Sequence, residues 1–357
     1  MLAPAPKETV KKDEAYFKTL ADHCSKYKGA DTKRSLAQMS VTLVLFLTTT
    51  ALMIGAAQSG NWLVYALLLL PASGLLVRVF IMQHDCGHGS YFKTRKGNDY
   101  VGRALSLLTW TPYSFWRRTH NLHHASSGNL DKRGYGGIET ITVEEYKSFS
   151  PAKQRFYRIY RNTYLLLGIG TPLFTVVVQR FLVTEPFLPE ISHKANMRNS
   201  WKSIYGTNLA LFLTYGALGY FIGYGVLAAV YLPILVITSW AGGWLFYIQH
   251  QFEDTHWERQ EGWSYNEAAL MSSSYYHLPP VLQWFTGNIG LHHIHHLNAT
   301  IPNYKLQACL DAHPDLPTMN RMTLKDSIAS INLALWDEAQ KKLISFRELD
   351  QQPQAAE

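Results

Sequence analysis

Three short clusters of histidines are the residues whose types and spacing most clearly indicate chemistry in this sequence. They read HDCGH, HNLHH and HHIHH, and eight of their imidazoles recur at steps of three or four: His84 and His88; His120, His123 and His124; His292, His295 and His296. Such steps return side chains to one helix face, so each cluster could direct two or three ring nitrogens to one point. We interpret the clusters as one metal site built from three distant segments.

The type of ligand limits which metals are possible but does not identify one. Imidazole suits iron, copper, zinc or nickel, and neither cysteine pairs nor carboxylate pairs stand beside the clusters. Eight ligands exceed the four of a structural zinc site, and a catalytic zinc normally uses three protein ligands. Two metal ions are the simpler interpretation. The alternative is that each cluster is a solvated loop or an ordinary polar helix face.

The elements that must position these histidines are long apolar runs. Hydrophobic residues make up 47% of the 357 residues, and they concentrate in four segments. Each segment is long enough to cross about 30 Å of hydrocarbon. Short turns join them in two hairpins, which predicts an all-α integral membrane protein with four transmembrane helices and a cytoplasmic helical cap that holds a histidine-rich di-metal site. The predicted spans are 39–58, 61–82, 203–222 and 224–249.

The distribution of Lys and Arg predicts the orientation. Of 33 such residues, eight precede residue 35, seventeen lie between residues 93 and 202, and seven follow residue 258. The positive-inside rule then places both termini and the active site in the cytoplasm, for which we expect a bacterial inner membrane. The expected organisation is a cytoplasmic N-terminal segment (1–38), a membrane domain (39–310) and a cytoplasmic C-terminal tail (311–357). The net charge of +7 favours contact with anionic membrane lipids, whereas no motif indicates nucleic acid.

Two further apolar stretches decide whether the clusters share one side of the membrane. Residues 104–116 are too short to cross and contain Pro112, and residues 163–183 contain two glycines and a proline. If the second stretch crossed alone, the third cluster would emerge opposite the other two. With both stretches interfacial or re-entrant, all three clusters meet on the cytoplasmic side.

The motifs HDCGH, HNLHH and TGNIGLHHIHHL, the last followed by IPNY, resemble those of the membrane fatty acid desaturases in their acyl-lipid branch. The resemblance extends from about residue 78 to residue 310. It implies that the eight histidines hold two irons, which activate dioxygen to remove two hydrogens from an acyl chain. It also implies a ninth ligand from the last span, for which His250 in YIQHQFEDTHW is the candidate.

Residues around the clusters are candidates for orienting the ligating rings, because the second nitrogen of a ligating imidazole needs a hydrogen-bond acceptor. The adjacent His293 breaks the spacing of the third cluster, and we expect a supporting or structural role for it. Asn288 could contribute a weak oxygen ligand, although a turn role is the alternative. The candidates for this supporting shell are Asp85, Glu253, Asp254, Asn288 and His293, with Asp131 and Glu139 as further acidic residues near the clusters.

The resemblance implies an oxygen-dependent acyl-lipid desaturase, of the delta-12 or delta-9 type, that makes a cis double bond. The sequence contains no nucleotide-binding glycine motif, no iron–sulfur cysteine set and no haem motif, so we expect no bound haem or flavin. Electrons must then come from a ferredoxin or a b-type cytochrome. The alternatives are a membrane di-iron hydroxylase and, from another class, a histidine-rich metal transporter. Against the transporter, no predicted span contains an acidic or histidine pathway.

Overall fold

The computed structural model describes residues 14–134, 136–181 and 199–352. Helices dominate it. The longest are α2 (Thr32–Gln58), α3 (Trp62–His88), α10 (Ser200–Ile222) and α11 (Tyr224–His250). The first two form one hairpin and the last two form another, as the sequence predicts.

Glycines make the two hairpin turns sharp. Gly60 has a φ of 71° and Gly223 has a φ of 96°, a region that side chains with a Cβ rarely adopt. Between α2 and α3, the Asn61 side chain accepts a hydrogen bond from the Val64 amide and so caps the start of α3. Helix α2 begins at Thr32, seven residues before the predicted span, because the Asp31 side chain caps it by accepting from the amides of Lys33 and Arg34.

Among the described residues, three helices, α2, α3 and α11, are long and apolar enough to span a membrane. Helix α10 has 23 residues and begins three residues before the predicted third span, 203–222, but it does not reach the same apolarity. The apolar stretch after residue 163 belongs to a helical pair, Pro151–Tyr160 and Thr163–Arg180, that bends by 52° and would count as a fourth span if it crossed as one. Residues 182 and 183 of that stretch lie outside the described residues.

The other predicted interfacial stretch, 104–116, does not form one continuous helix. Helix α4 ends at Thr109 and α5 begins at Tyr113, and Trp110 between them has a φ of 55°. The chain therefore turns within the stretch and starts a new helix, α5, that carries the second histidine cluster.

Shorter helices form the cap at the histidine end of the long helices. Helix α14 (His292–Leu297) carries the third histidine cluster, and α1 (Glu14–Ser25) and α12 (Tyr265–Met271) pack beside it. Short 3-10 helices cover 130–132, 178–180, 316–318 and 330–332, and a π-helical turn covers 166–170. The remaining helices are α1 (Glu14–Ser25), α4 (Arg95–Thr109), α5 (Tyr113–Ser126), α6 (Val143–Ser148), α7 (Pro151–Tyr160), α8 (Thr163–Leu165), α9 (Thr171–Val176), α12 (Tyr265–Met271), α13 (Pro280–Phe285), α14 (His292–Leu297), α15 (Asn303–Asp311), α16 (Leu324–Ala329) and α17 (Phe346–Gln351).

Two small sheets correct the expectation of an all-α fold. Strand β4 (Leu333–Asp337) pairs in parallel with β1 (Ile141–Thr142) and antiparallel with β5 (Lys342–Ser345). A second sheet pairs β2 (Tyr275–Tyr276) with β3 (Arg321–Met322). Three of the five strands lie in the segment that we expected to be a C-terminal tail. Residues 311–352 are therefore integrated into the cap.

A buried arginine joins this C-terminal sheet to the end of α11. Arg161 donates to the side-chain oxygen of Gln251 at 2.7 Å and to the backbone oxygen of Leu333 at 2.9 Å. The hydroxyl of the buried Tyr157 donates to the backbone oxygen of Ala334 at 3.0 Å. Since Gln251 directly follows His250, these bonds hold the end of α11 against the cap.

We expect Trp336→Ala to lower the free energy of unfolding by about 3–5 kcal/mol, because the Trp336 side chain is 1% exposed and its removal leaves a large cavity. Chemical unfolding of the protein in detergent measures this loss. Ile328→Ala is the control, because Ile328 is 65% exposed, and it should cost less than about 1 kcal/mol. Equal effects of the two substitutions would show that the C-terminal sheet is not part of the cooperative fold.

Candidate metal centre

The structure brings all nine predicted metal ligands together, in two adjoining groups. In each group, one potential ligand atom from every residue lies within 4.8 Å of all the others. His124 of the first group stacks on His296 of the second, with ring centroids 4.0 Å apart. The five-histidine group contains His84, His88, His120, His124 and His295, and the four-histidine group contains His123, His250, His292 and His296.

Helix periodicity explains which histidines share a group. The pairs His84/His88, His120/His124 and His292/His296 are each four residues apart, and each pair stays within one group. The third histidine of α5, His123, and that of α14, His295, each join the opposite group. Helices α5 and α14 therefore contribute to both groups, whereas α3 serves only the first and α11 only the second.

Aromatic rings enclose the two groups. Trp116, one turn before His120, stacks on its ring with centroids 4.6 Å apart. Phe246, one turn before His250, packs against the rings of His123 and His250 at 5.2 and 5.4 Å. Eight of the nine histidines are buried, and His88 is half-buried. The site is thus a largely buried pocket of imidazoles.

The turn-rich run after the second cluster, residues 129–137, covers part of the four-histidine group. Gly136 has a φ of 78°, and a Cβ there would lie 2.5 Å from the backbone oxygen of Thr119. A Cβ on Gly137 would lie 3.7 Å from His123 Nδ1. At position 136 only glycine permits the observed close approach, and it lets the chain fold over the site. Tyr135 lies outside the described residues.

Several ring nitrogens have no hydrogen-bond partner among the described residues, although they are buried. Both nitrogens of His295 and of His296 are in this state, as is Nε2 of His88. Buried polar atoms without a partner cost free energy, so native proteins rarely leave them in that state. Metal ions coordinated by these nitrogens would supply the missing interactions. The donor set therefore fits two nitrogen-bound transition metals.

Hydrogen bonds on the outer side of two rings turn their other nitrogen toward the groups. His250 Nδ1 lies 3.0 Å from the backbone oxygen of Ser272, which can only accept, so the proton resides on Nδ1 and the lone pair on Nε2. That Nε2 lies 3.0 Å from His123 Nε2 and 3.1 Å from His292 Nε2. His84 Nδ1 is held by Asp85 Oδ1 at 3.3 Å in the same manner. Each group thus contains one ring with a fixed tautomer.

The family follows from comparison with known proteins. The sequence model described as "Fatty acid desaturase" matches residues 60–326. The "Fatty acid desaturase" of Bacillus subtilis (strain 168) is 39% identical over 336 residues, which cover 94% of this chain and 92% of that protein. This chain belongs to the fatty acid desaturase family. The resemblance inferred from the histidine motifs is therefore confirmed.

The names of more distant desaturases mention acyl lipids. The "Acyl-lipid omega-3 desaturase (cytochrome b5), endoplasmic reticulum" of Arabidopsis thaliana is 26% identical, covering 77% of this chain and 70% of that protein. The "sn-1 acyl-lipid omega-3 desaturase (ferredoxin)" of Synechocystis sp. is 25% identical, covering 72% of this chain and 69% of that protein.

The carboxylate of Asp85 is itself positioned by a residue that the sequence interpretation missed. Asn303 donates to Asp85 Oδ2 through its backbone nitrogen at 2.7 Å and its side-chain nitrogen at 2.8 Å. Asn303 is the asparagine of the IPNY segment that follows the third cluster. The motif was visible, but its contact with Asp85, 218 residues away, was not. In this desaturase, Asn303 links the first and third clusters through Asp85.

Two of the other predicted supporting residues have structural contacts of their own. Asn288 has a φ of 60° and its side chain donates to the backbone oxygen of Asn303 at 3.0 Å, which fits the turn role. His293 belongs to neither group. Its Nε2 lies 3.1 Å from the backbone oxygen of Leu316, and its ring stacks on Tyr275.

The acidic residues that follow the second cluster and α11 are arranged differently from the expectation. Glu253 and Asp254 are exposed, and Glu253 pairs with Lys342 at 3.4 Å, so the structure does not bring them to the rings. Asp131 pairs with Arg259 at 3.2 Å. Glu139 is buried, and together with His123 and His250 it lines a cavity beside the four-histidine group.

Burial keeps the rings of α5 and α14 neutral. It lowers the pKa of six histidines well below the ordinary 6.5, and the neighbouring imidazoles lower it further because two protonated rings would repel each other. Only a neutral imidazole can ligate a metal, so these rings are ready to bind near pH 7. The six are His120, His123, His124, His292, His295 and His296.

We expect Asp85→Asn to weaken metal binding by about 10-fold to 100-fold, because the amide cannot hold His84 as the carboxylate does. The metal content that remains after dialysis against a chelator measures this effect. Glu253→Gln is the matched control, since it also removes one carboxylate next to a cluster but from an exposed position, and it should retain its metal. Similar losses in both variants would contradict the assignment of Asp85.

We also expect the metal-free protein to lose stability as the pH falls below about 6.5. The six rings have lower pKa values folded than unfolded, so the unfolded chain binds more protons there, and the stability present above pH 6.5 is lost on acidification. Each such ring can cost up to about 1.4 kcal/mol per pH unit. Thermal unfolding in detergent at pH 7.5 and 5.5 tests this. A melting temperature independent of pH would contradict it.

Proposed function

We propose that this protein is an integral-membrane, oxygen-dependent desaturase that introduces a cis double bond into the acyl chain of a membrane lipid. The observation that carries the proposal is the pair of adjoining, buried, all-imidazole groups at the ends of apolar helices. Membership of the fatty acid desaturase family supports the reaction class. We propose a delta-12 or delta-9 position for the new bond, although the names of two distant relatives specify omega-3.

The metal that we propose is a pair of irons, one in each histidine group. Acid or base groups of a protein cannot cleave an unactivated C–H bond, and a bound iron pair would supply the oxygen chemistry that can. The reaction converts CH2–CH2, one O2, two electrons and two protons into CH=CH and two molecules of water. The nine imidazoles would hold the metals, with His250 completing the four-histidine group.

The protein itself must place the acyl chain and exclude water. Trp116 stacks on the His120 ring and Phe246 packs against the His123 ring, so they form apolar walls of the pocket. Trp240 and Trp284, which also lie near the clusters in sequence, are 45% and 40% exposed instead. We assign the first pair to the substrate pocket and the second pair to the lipid interface, where tryptophan is favoured.

We propose four crossings, with α10 as the third, so that both termini and the metal centre face the cytoplasm of a bacterium. The two hairpins support this arrangement, because they return α3 and α11 to the side where their histidines lie. The bent segment after residue 163 would then be re-entrant. The concentration of Lys and Arg between residues 93 and 202 agrees with the positive-inside rule.

Electrons must come from a separate protein, for which we propose a ferredoxin or a b-type cytochrome. The names of two relatives specify one donor each, cytochrome b5 for the Arabidopsis protein and ferredoxin for the Synechocystis protein. Either donor would be attracted by a basic cytoplasmic face if it is acidic.

Lipid methyl-ester analysis of a host that expresses the protein tests the function directly. We expect new double bonds in the wild type and none with His124→Ala or His295→Ala, because each removes a ring from the five-histidine group. His277→Ala is the control, since His277 is exposed and belongs to neither group, and it should give normal product.

The same analysis distinguishes the alternatives. New hydroxyl groups in place of double bonds would favour the hydroxylase, because the masses of the products differ. Exchangeable zinc without oxygen consumption would favour the transporter. Normal product from either histidine variant would contradict the ligand assignment, provided that the variant inserts into the membrane.

A further inference from the structure

Two buried charges on α3 lie near the histidines without belonging to either group. Arg78 is 9% exposed and Asp85 is 1% exposed. Asp85 contacts the His84 ring, and Arg78 lies six residues before His84, about 9 Å along the helix axis. Arg78 also falls within the predicted span 61–82, where charged side chains are costly and rare. The bonds that Arg78 forms therefore indicate a specific role.

Arg78 holds the end of α13, the short helix that precedes the third histidine cluster. Its Nη1 donates to the backbone oxygen of Trp284, in the last turn of α13. Its guanidinium carbon also lies 4.2 Å from the centroid of the Trp284 ring. The Nε of Arg78 donates to Thr42 Oγ1 of α2 at 3.2 Å. Among the described residues, no carboxylate forms an ion pair with Arg78, so its partners are the neutral groups of α2 and α13.

Asp85 makes the corresponding contact with α15, the helix that follows the third histidine cluster. Its Oδ2 accepts from the backbone and side-chain nitrogens of Asn303, the first residue of α15. Amides at the start of a helix and carbonyls at its end lack a partner within the helix, so they can bond groups outside it. The acid of α3 meets such an amide, and the base of α3 meets such a carbonyl. Both charges therefore bond the helices that flank the third cluster.

Two close contacts continue the same face of α3. A Cβ on Gly74 would lie 2.7 Å from the Phe285 ring, and a Cβ on Gly287 would lie 2.9 Å from Ile81 Cγ2. The four residues of α3 follow one another at steps of four, three and four, which keep them on one side of a helix. Each of them adjoins the segment 284–303, which contains the third cluster. We call these four residues the register face: Gly74, Arg78, Ile81 and Asp85.

Helix α2 supports both charges through a second set of hydrogen bonds. The hydroxyl of Thr42, which accepts from Arg78, donates to the backbone oxygen of Gln38 at 2.7 Å. The side-chain nitrogen of Gln38 donates to Asn303 Oδ1 at 2.8 Å. Gln38 and Thr42 are one helical turn apart, so one face of α2 holds the partners of both charges. A single buried polar network thus extends from α2 through α3 to the helices on either side of the third cluster.

We propose that Arg78 is a positioning residue of the metal centre, which together with Asp85 sets the register in which the third histidine cluster meets the first. Helix α14 contributes His295 to the five-histidine group and His292 and His296 to the four-histidine group. A shift of the segment that carries α14 therefore displaces ligands of both groups. This inference rests on the proposed function only in treating the two histidine groups as a metal centre.

Hydrogen–deuterium exchange of the full-length protein, purified in detergent with its metal, tests the proposal. We expect Arg78→Met to raise the exchange rate of the amides in residues 286–297 by about 10-fold to 100-fold, because a hydrogen bond from a charged donor contributes about that factor to a local equilibrium. The amides of β4 and β5 are the reference. Their exchange should not change, because these strands belong to the separate core of the C-terminal sheet.

Two further arginine substitutions separate the role of the donor from the loss of a side chain. Arg78→Lys keeps a cation that can donate to Trp284, and it should restore most of the protection. Arg34→Met is the matched control, because the exposed Arg34 makes the same two contacts with Tyr304. Its Nη2 donates to the backbone oxygen at 3.1 Å, and its guanidinium carbon lies 4.9 Å from the ring centroid. This variant should leave the exchange of residues 286–297 unchanged.

Gly74→Ala disturbs the register face but leaves Arg78 in place, so it tests the proposal even if Arg78→Met does not fold. The added methyl group would press on Phe285 and should also raise the exchange of residues 286–297. Gly55→Ala is its control, because a Cβ on Gly55 would meet no atom of the described residues within 4 Å. Equal exchange in the two glycine variants would overturn the proposal.

The metal that remains after dialysis against a chelator links the register to the metal centre. We expect Arg78→Met to retain metal at least about 10-fold more weakly than the wild type, because α14 supplies ligands to both groups. Unchanged exchange in Arg78→Met, an equal rise in β4 and β5, equal exchange in the Lys and Met variants, or full retention of metal would each overturn the proposal. Exchange is measured without turnover, so failure to detect a double bond would refute the proposed function and leave this result intact.

Discussion

The structure depends on burying nine imidazoles together in their neutral, unprotonated form. Protonated rings at these distances would repel one another, and burial disfavours the charged form further, so the fold is compatible only with neutral rings. Neutral rings in turn present lone pairs, several of which find no hydrogen-bond partner among the described residues. The same features that make the cluster costly for an apoprotein therefore make it a strong site for nitrogen-bound metals.

The rest of the architecture serves to hold four helix segments at one place. Helices α3 and α11 arrive as the returning arms of two hairpins, and each ends in a metal-group histidine, His88 or His250. The cap supplies α5 and α14, and each of these helices contributes histidines to both groups. Arg161 fixes the end of α11 by bonding Gln251, and Asn303 fixes the end of α3 by bonding Asp85. Buried polar contacts between distant segments thus set the geometry of the centre.

Local regularity explains which features the sequence could predict. The four-residue spacing of His84/His88 is a property of any helix, and long apolar runs reveal spanning helices. The contacts of residues just beyond the end of a helix cannot be predicted from helix periodicity. Glu253 follows His250 by three residues, but the helix stops at His250 and the chain turns outward, so proximity in sequence gave the wrong neighbour. Tertiary packing also determines the contact of Asn303 with Asp85 and the two-residue strands β1 to β3. No periodic pattern in the sequence predicts these features.

Anomalous X-ray diffraction at the iron edge, on crystals of the protein purified with its metal, tests the central claim most directly. The account predicts two peaks, one surrounded by His84, His88, His120, His124 and His295, and the other by His123, His250, His292 and His296. A single peak, or a peak outside these two groups, would contradict it.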